Sequence, residues 1–481
     1  MHLDSEQCYR ALRSHDARFD GRFFVGVATT RIYCRPVCTA RTPHRRHCRF
    51  FPSAAAAEGQ GFRPCLRCRP ELAPGFAAVD ANRRLAQSAA GMIEDGRLGD
   101  ARLPDLARAL GVTDRHLRRV FQLEFGVSPV EYAQTQRLLL AKRLLTDTGM
   151  AVLDVAMASG FASLRRFNHL FRTRYRMTPA ELRRKSPGRV PAERLTFDLA
   201  YRPPYDWDAM LAFLARRAMA GVEAVDARSY SRTLRLRRGE RAFAGTIRVT
   251  QAPRKAALRV ELSASLAAVV PAVLARVKQL FDLACHPDEV AAALGPLAHA
   301  HPGLRLPGAI DGFEVAVRAI LGQQVTVQAA STLAGRFAAT FGEAIDVPDA
   351  RLRFLFPEAS RIAETAPERI AALGIIPARA RAIVALAQEM ASGRLSLEPT
   401  TPVEAACAAL ERIPGVGPWT AQYVAMRALG WPDAFPHPDV AALKAMGERS
   451  AAKALQRSQA WRPWRAYAVL HLWKSLERPL P

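Results

Sequence analysis

Between about residues 78 and 185 the pattern of apolar and polar positions is helical and rich in Arg and Leu, and it ends in the Pro/Gly/basic stretch "RRKSPGRVPAER". From about Leu195 to Ser263 it shortens to the alternation seen in "TLRLRR", "FAGTIRVTQ" and "ALRVELS", which predicts antiparallel strands. "DWDAMLAFLARRA", set between strand-like pieces, predicts a helix. After "HPGLRLPGAIDGFEVAVRAILGQQVTVQAASTLAGRF" the helical pattern runs almost to the end, punctuated by Gly and Pro. At roughly 100–200 residues per domain, 481 residues exceed one core. The expected architecture is multidomain and mainly α. A small cysteine-bearing domain at 1–75 is followed by a helical bundle at 76–190, an α+β antiparallel-sheet domain at 191–305 and an all-α domain at 306–481.

The helical bundle contains a repeat. "LARALGVTDRHLRRVFQLEFGVSPVEY" and "VAMASGFASLRRFNHLFRTRYRMTPAEL" match at Ala107/Ala156, Gly111/Gly160, Phe121/Phe171, Pro129/Pro179 and Glu131/Glu181. The offset moves from 49 to 50 between the second and third pairs, so two similar helical units stand in tandem.

Charge then narrows the partner. Lys and Arg number 69 against 44 Asp and Glu, a formal net charge of +25, and most of the cations are Arg. An excess of planar guanidinium forks points to a phosphate polyanion. The polar, acid-containing start "MHLDSEQCYRALRSHDARFDG" is not a secretory signal, and no apolar run approaches the ~18–20 residues of a membrane span. A cytoplasmic protein with no membrane partner is therefore expected. Eight cysteines are too few for a disulfide scaffold, and five lie between Cys34 and Cys68, which in a reducing compartment suggests a metal site.

Cys34 and Cys38 are separated by three residues and Cys65 and Cys68 by two, a spacing that can close a four-thiolate Zn(2+) site. A structural zinc holding a small domain together is one reading. The other is chemical, since a zinc-bound thiolate is deprotonated and nucleophilic. "DGRFFVGVATTRIYCRPVCTARTP" followed by "GFRPCLRCRPEL" resembles the N-terminal methyl-phosphotriester domain of the Ada adaptive-response regulator. That resemblance implies zinc on Cys34, Cys38, Cys65 and Cys68, and Cys34 as irreversible acceptor of a methyl group from a methylated DNA phosphate. Arg35, Arg41 and Arg67, within or beside the motif, are candidate phosphate contacts, and Cys48 is a bystander.

Each unit of the repeat has the order helix, glycine turn, helix. The second helices carry Arg115, His116, Arg118 and Arg119 in one copy and Ser163, Arg165, Arg166, Asn168 and His169 in the other. A plain bundle with a basic face is the bland alternative. The pair resembles the AraC-type helix-turn-helix DNA-binding domain, which implies that Arg118, Arg165, Arg166 and Asn168 face DNA, with promoter DNA and RNA polymerase as partners. Val155, Ala156, Gly160, Phe161, Phe167 and Phe171 are core candidates.

"LERIPGVGPWTAQYVAMRALG" places Gly415 and Gly417 in a turn between helical stretches, where backbone N–H groups can bind a phosphate. About twenty residues on, "FPHPDVAALKAM" has one acid, Asp439, which is either a helix cap or a catalytic carboxylate. Hairpin, spacer and Asp together resemble the helix-hairpin-helix-GPD DNA glycosylases. "YRPPYDWDAMLAFLARRA", "HPGLRLPGAIDGFEVAVRAILGQQVT" and "WRPWRAYAVLHLW" narrow the resemblance, over about residues 195–481, to AlkA-type 3-methyladenine DNA glycosylases. In those enzymes an aromatic cleft stacks a flipped, electron-poor base, a role that would fall here to Trp419, Tyr423 and Trp473, with core packing as the alternative. Gln324 holds the place of the side chain inserted into the gap. Trp419 stands where strand-cutting relatives keep Lys, which implies base removal without strand cleavage. His437, beside Asp439, is read as a solvated loop residue.

The expected function is a monofunctional glycosylase that removes alkylated bases from double-stranded DNA, fused to a methylation-sensing transcriptional regulator. A monomer is expected, because both helix-turn-helix units lie in one chain. The rival is an activator whose C-terminal half binds DNA without catalysis; the intact Asp439, hairpin and aromatic trio weigh against it. A methyltransferase for O6-methylguanine is disfavoured, because no "PCHR"-like cysteine is present.

Overall fold

The computed structural model describes residues 4–73, 81–94, 103–184 and 194–477. The domain breaks expected at 75/76 and 190/191 fall outside these residues, as does most of the basic stretch at 183–194.

The cysteine-rich region folds around a four-stranded sheet that the sequence pattern did not announce. Strands β1 (Phe24–Val27), β2 (Ile32–Cys34), β3 (Cys48–Phe51) and β4 (Arg63–Pro64) lie in the order β3-β1-β2-β4. Strands of two to four residues are too short to show an alternation that can be read. The parallel pairing of β2 with β4 matters most. Ile32 lies beside Arg63 and Tyr33 beside Pro64, so Cys34 and Cys65 leave neighbouring strands at the same end.

The repeat becomes two helix-turn-helix units. The first has helices Leu103–Ala109 and Asp114–Phe125 and the second Val152–Ala158 and Leu164–Tyr175. Gly111 and Gly160 have φ of +68° and +81°, the left-handed turn that favours glycine. The one-residue shift in the repeat falls between this turn and the N-cap, which is Thr113 in one unit and Ser163 in the other. The repeated Pro and Glu open the next helices, where Glu131 accepts from the Ser128 N–H at 2.9 Å and Glu181 from the Thr178 N–H at 2.6 Å. Val155, Ala156, Phe161, Phe167 and Phe171 are buried, as expected.

Helix Pro129–Asp147 joins the units and contributes to three cores. Tyr132 and Ala133 pack with the first unit, Leu139 with the metal region, and Leu138, Ala141 and Leu144 in the cluster that contains the second unit. That last cluster continues into the five-stranded antiparallel sheet of β5 (Arg194–Ala200), β6 (Glu223–Val225), β7 (Ser229–Arg238), β8 (Arg241–Gln251) and β9 (Ala257–Ser263), in the order β5-β9-β8-β7-β6. The expected helix is Trp207–Ala215. The second helix-turn-helix unit and the sheet thus share one apolar cluster.

The C-terminal region is helical except for a two-stranded ribbon, β10 (Glu343–Ala344) with β11 (Phe354–Leu355). Its central helix, Gly312–Leu321, is buried at most positions and packs against helices Pro377–Ala391 and Pro418–Arg427. Each of those two helices follows the same turn. A glycine at φ +87° or +88° (Gly374, Gly415) is followed by a buried Ile375 or Val416 and then by a helix opening on proline. No helix among the described residues is long and apolar enough to cross a membrane.

Candidate catalytic cleft and metal centre

Asp439 is the N-cap of helix Val440–Met446, where its Oδ1 accepts from the Ala442 N–H at 2.8 Å. The cap accounts for only part of its surroundings. Trp473 Nε1 donates to the same Oδ1 at 2.9 Å and Trp419 Nε1 to Oδ2 at 2.9 Å. The carboxylate, 8% exposed, is therefore fixed by three neutral N–H groups, and among the described residues no Lys or Arg lies within salt-bridge reach of it. An anion so held keeps its field for whatever positive charge forms nearby.

Trp419 and Tyr423 lie one turn apart on helix Pro418–Arg427 and stack with ring centroids 5.1 Å apart and planes at 14°. Trp473, on the last helix (Arg465–Ser475), comes within 6.4 Å of Tyr423. With Asp439 these rings line one cleft of about 480 Å3, large enough for a single base. Trp419, Tyr423 and Trp473 also touch the main helical core, so cleft and core readings both describe part of each ring.

Four arginines of the lining, Arg216, Arg217, Arg318 and Arg427, were not anticipated, and Arg216 pairs with Glu477 of the same lining. Arg318 is paired with Glu223 (2.8 Å) and Glu314 (3.0 Å), and Arg427 donates to the Tyr423 hydroxyl (2.6 Å) and to the Gly308 carbonyl (3.2 Å). Arg217 lies over the Phe213 ring at 3.7 Å, and burial pushes its guanidinium down to about 10. Burial pushes the Tyr423 phenol up, yet the guanidinium groups of Arg427, Arg217 and Arg318 pull it below its ordinary value. No sequence signal marked these arginines: Glu314, Tyr423 and Phe213 lie only four residues from them, but Glu223, the Gly308 carbonyl and the rest of the cleft come from other segments.

Gly415 has φ +88°, which demands glycine, whereas Gly417 has an ordinary φ of −97° and nothing within 4 Å of where a Cβ would sit. Gly417 therefore leaves the start of the hairpin helix open to close approach. Gln324 is exposed, with a left-handed φ of +55°, between Gly322 and Val325, which both line the cleft. His437 is half-buried in the loop before Asp439.

At the other end of the chain the Sγ atoms of Cys34, Cys38, Cys65 and Cys68 all lie within 4.8 Å of one another. The backbone N–H of Arg35 points at Cys68 Sγ from 3.3 Å. Sulfur-to-sulfur hydrogen bonding, led by Cys38, pushes the Cys34 thiol up, and the bond to Cys34 pulls Cys65 down. Four soft donors crowded in this way fit one Zn(2+) at bonds of about 2.3 Å. Cys48 lies outside the set, with its thiol turned to the His44 carbonyl at 3.4 Å.

The structure corrects one expectation here. Arg35 is not a phosphate contact: it is 7% exposed and its guanidinium is locked onto Asp20, with a further bond to the Cys68 carbonyl at 3.1 Å. Arg41 and Arg67 are exposed. Arg165, Arg166 and Asn168 are exposed on helix Leu164–Tyr175, while Arg118, also exposed, is held by Asp114 at 3.0 Å. Helix Pro129–Asp147 reaches into the metal region: Lys142, 1% exposed, donates to the Cys65 carbonyl at 3.3 Å and to Glu71 at 2.8 Å.

A small metal-binding fold, a tandem helix-turn-helix and a hairpin glycosylase fold define a DNA-handling protein of two halves. Family models match in the same order: the metal-binding domain of Ada over 7–71, a helix-turn-helix domain over 106–185, the AlkA N-terminal domain over 196–311, and the HhH-GPD superfamily of base excision DNA repair proteins over 317–462. A Mycobacterium tuberculosis protein described as a probable bifunctional transcriptional activator/DNA repair enzyme AlkA is 39% identical over 100% of this chain and 98% of its own length. The DNA-3-methyladenine glycosylase 2 of Escherichia coli is 40% identical over 58% of this chain and 96% of its own. A Bacillus subtilis bifunctional transcriptional activator/DNA repair enzyme, AdaA, is 31% identical over 38% of this chain and 84% of its own. The chain belongs to the family of AlkA-type bifunctional transcriptional activator/DNA repair enzymes.

Proposed function

We propose that the chain is a DNA glycosylase that hydrolyses the N-glycosidic bond of alkylated bases, 3-methyladenine among them, joined to a transcriptional activator that senses DNA methylation. The observation that carries the enzymatic half is the Asp439 carboxylate, held by neutral donors in an aromatic cleft beside a glycine hairpin. As the base departs, positive charge builds on the deoxyribose. Asp439 stabilises that charge and orients the attacking water. An alkylated purine is already cationic and leaves readily, so the site works without a second carboxylate. Trp419, Tyr423 and Trp473 hold the flipped base, Gln324 fills the gap left in the stack, and Gly415 and Gly417 bring backbone N–H groups to a phosphate. Trp419, in the place of a lyase lysine, supports release of the base with the strand left intact.

In the regulatory half, zinc bound by the four cysteines keeps their sulfurs deprotonated at neutral pH. Cys34 then attacks the methyl carbon of a methyl phosphotriester: an S–C bond forms, the C–O bond breaks, and the oxygen keeps the electron pair as an ordinary phosphodiester. Arg41 and Arg67 lie at the DNA backbone, and the exposed Arg118, Arg165, Arg166 and Asn168 face the grooves of promoter DNA, where the chain, as a monomer, meets RNA polymerase.

The deciding experiment gives purified full-length protein methylated duplex DNA. Release of 3-methyladenine with the strand uncut is expected, and equal release by Asp439→Asn would remove Asp439 from catalysis. Transfer of labelled methyl from the DNA backbone is expected for wild type and absent for Cys34→Ala.

A further inference from the structure

Gln323, the residue before the expected wedge, ties together three separate segments. It lies in the loop between helices Gly312–Leu321 and Val327–Phe341. Its side-chain Nε2 donates to the Gly415 carbonyl at 2.9 Å and to Thr420 Oγ1 at 3.0 Å. Its own carbonyl accepts from Arg379 Nη2, and Arg379 is 8% exposed, on the first turn of the helix that follows the Gly374 turn. One amide therefore bonds the left-handed turn of the phosphate hairpin and the residue next to Trp419, while its backbone is anchored to the second, similar turn. The next residue in the chain is Gln324, exposed and left-handed at φ +55°. A non-glycine residue stays in that conformation only when its surroundings impose it. Gln323, bonded on both side chain and backbone, is the neighbour that imposes it.

We infer that Gln323 is a positioning residue for base extrusion: its bonds to Gly415 and Thr420 set the span between the hairpin that grips the DNA backbone and the loop that opens the stack. This rests on the glycosylase reading of the C-terminal half. Extrusion must break the pairing and stacking of the target, and a wedge held at a fixed distance from the gripped phosphate offsets that cost only if the span is kept. Gln323 touches no reacting atom. Its loss should slow the opening of a paired site and spare the removal of a base that has no partner to leave.

The test compares single-turnover release of 7-methylguanine from two duplexes, one with the lesion opposite cytosine and the other with the lesion opposite an abasic analogue. For Gln323→Ala a loss of roughly tenfold or more on the paired duplex is expected, with less than about threefold on the unpaired one. Thr420→Val, which removes one acceptor, should show the same split to a smaller degree, and Thr420→Ser should restore wild-type behaviour. Equal losses on both duplexes for Gln323→Ala and Thr420→Val would reduce Gln323 to a general support of the fold and overturn the inference. A wild-type chain that releases no base from either duplex would instead sink the glycosylase reading, and the inference with it.

Discussion

The sulfur cluster and the carboxylate cleft are two candidate sites built on opposite plans. In the first, four like side chains from two short motifs converge because β2 and β4 run side by side, and only a cation relieves their crowding. In the second, one carboxylate at the cap of a seven-residue helix is fixed by indoles from two other helices and by the cap N–H, with no charged partner among the described residues. The first is a set that a metal would complete, whereas the second depends on the fold for its charge.

The largest expected effect separates the two. Chelation of zinc, or Cys65→Ser, should unfold the cysteine-rich region, since structural zinc contributes about 10 kcal/mol or more to small domains. Hydrogen exchange would then show lost protection before residue 73, methyl transfer would stop, and base release should stay within about threefold of wild type. Base release that collapses with zinc would mean that the two centres are not independent.

Next comes Asp439→Asn, expected to slow base release by on the order of 10^3-fold in single-turnover assays. Asp439 accepts three N–H groups on two oxygens. An amide has one oxygen, so its NH2 must face an indole or the cap, and Asp439→Asn should also lower the melting temperature slightly.

A pH comparison sharpens the contrast at the scale of about 1–3 kcal/mol. Burial pushes buried Glu58 of the metal region up to about 7 from an ordinary 4.5, so its contribution to stability is full below 4.5 and is lost as pH rises to 7. Burial pushes His471 of the last helix down to about 4 from 6.5, so its contribution is full above 6.5 and is lost as pH falls to 4. Between these values the two groups act on their halves with opposite slopes. Hydrogen exchange across pH 4–7 should show both, with Glu58→Gln flattening one and His471→Gln the other.

The smallest effect belongs to Trp473→Phe, which keeps a ring and removes one N–H from the carboxylate. A loss of roughly tenfold in base release is expected, the worth of one hydrogen bond to a charged group. No loss would show that Trp419 and the cap suffice to hold Asp439.

Much of this was legible in the chain. Two cysteine pairs, two glycine-turn units and the span from Gly415 to Asp439 each lie within a short window, where spacing alone limits the geometry. The alternation after Leu195 gave the strands β7, β8 and β9, because a sheet with one buried face imposes period two. The strands around the metal were too short for such a signal. Arg35 was misjudged because a basic residue beside a metal motif looks the same whether it meets a phosphate or Asp20, which lies fifteen residues away in the chain.

By itself the sequence determined what local spacing can encode: the sulfur ligand set, the tandem turn units, the hairpin and Asp439 about twenty residues beyond it. Only tertiary structure decided that Trp419 and Trp473 point their N–H groups at Asp439, that Arg318 is spent on Glu223 and Glu314 rather than on that carboxylate, and that Gln323 bonds the hairpin. Apart from Arg318–Glu314, one helical turn apart, these contacts join residues 20 to 95 positions apart in the chain. Hydrogen bonds and ion pairs depend on angle and on distances of a few ångströms, and a chain fixes those only after its apolar cores have closed.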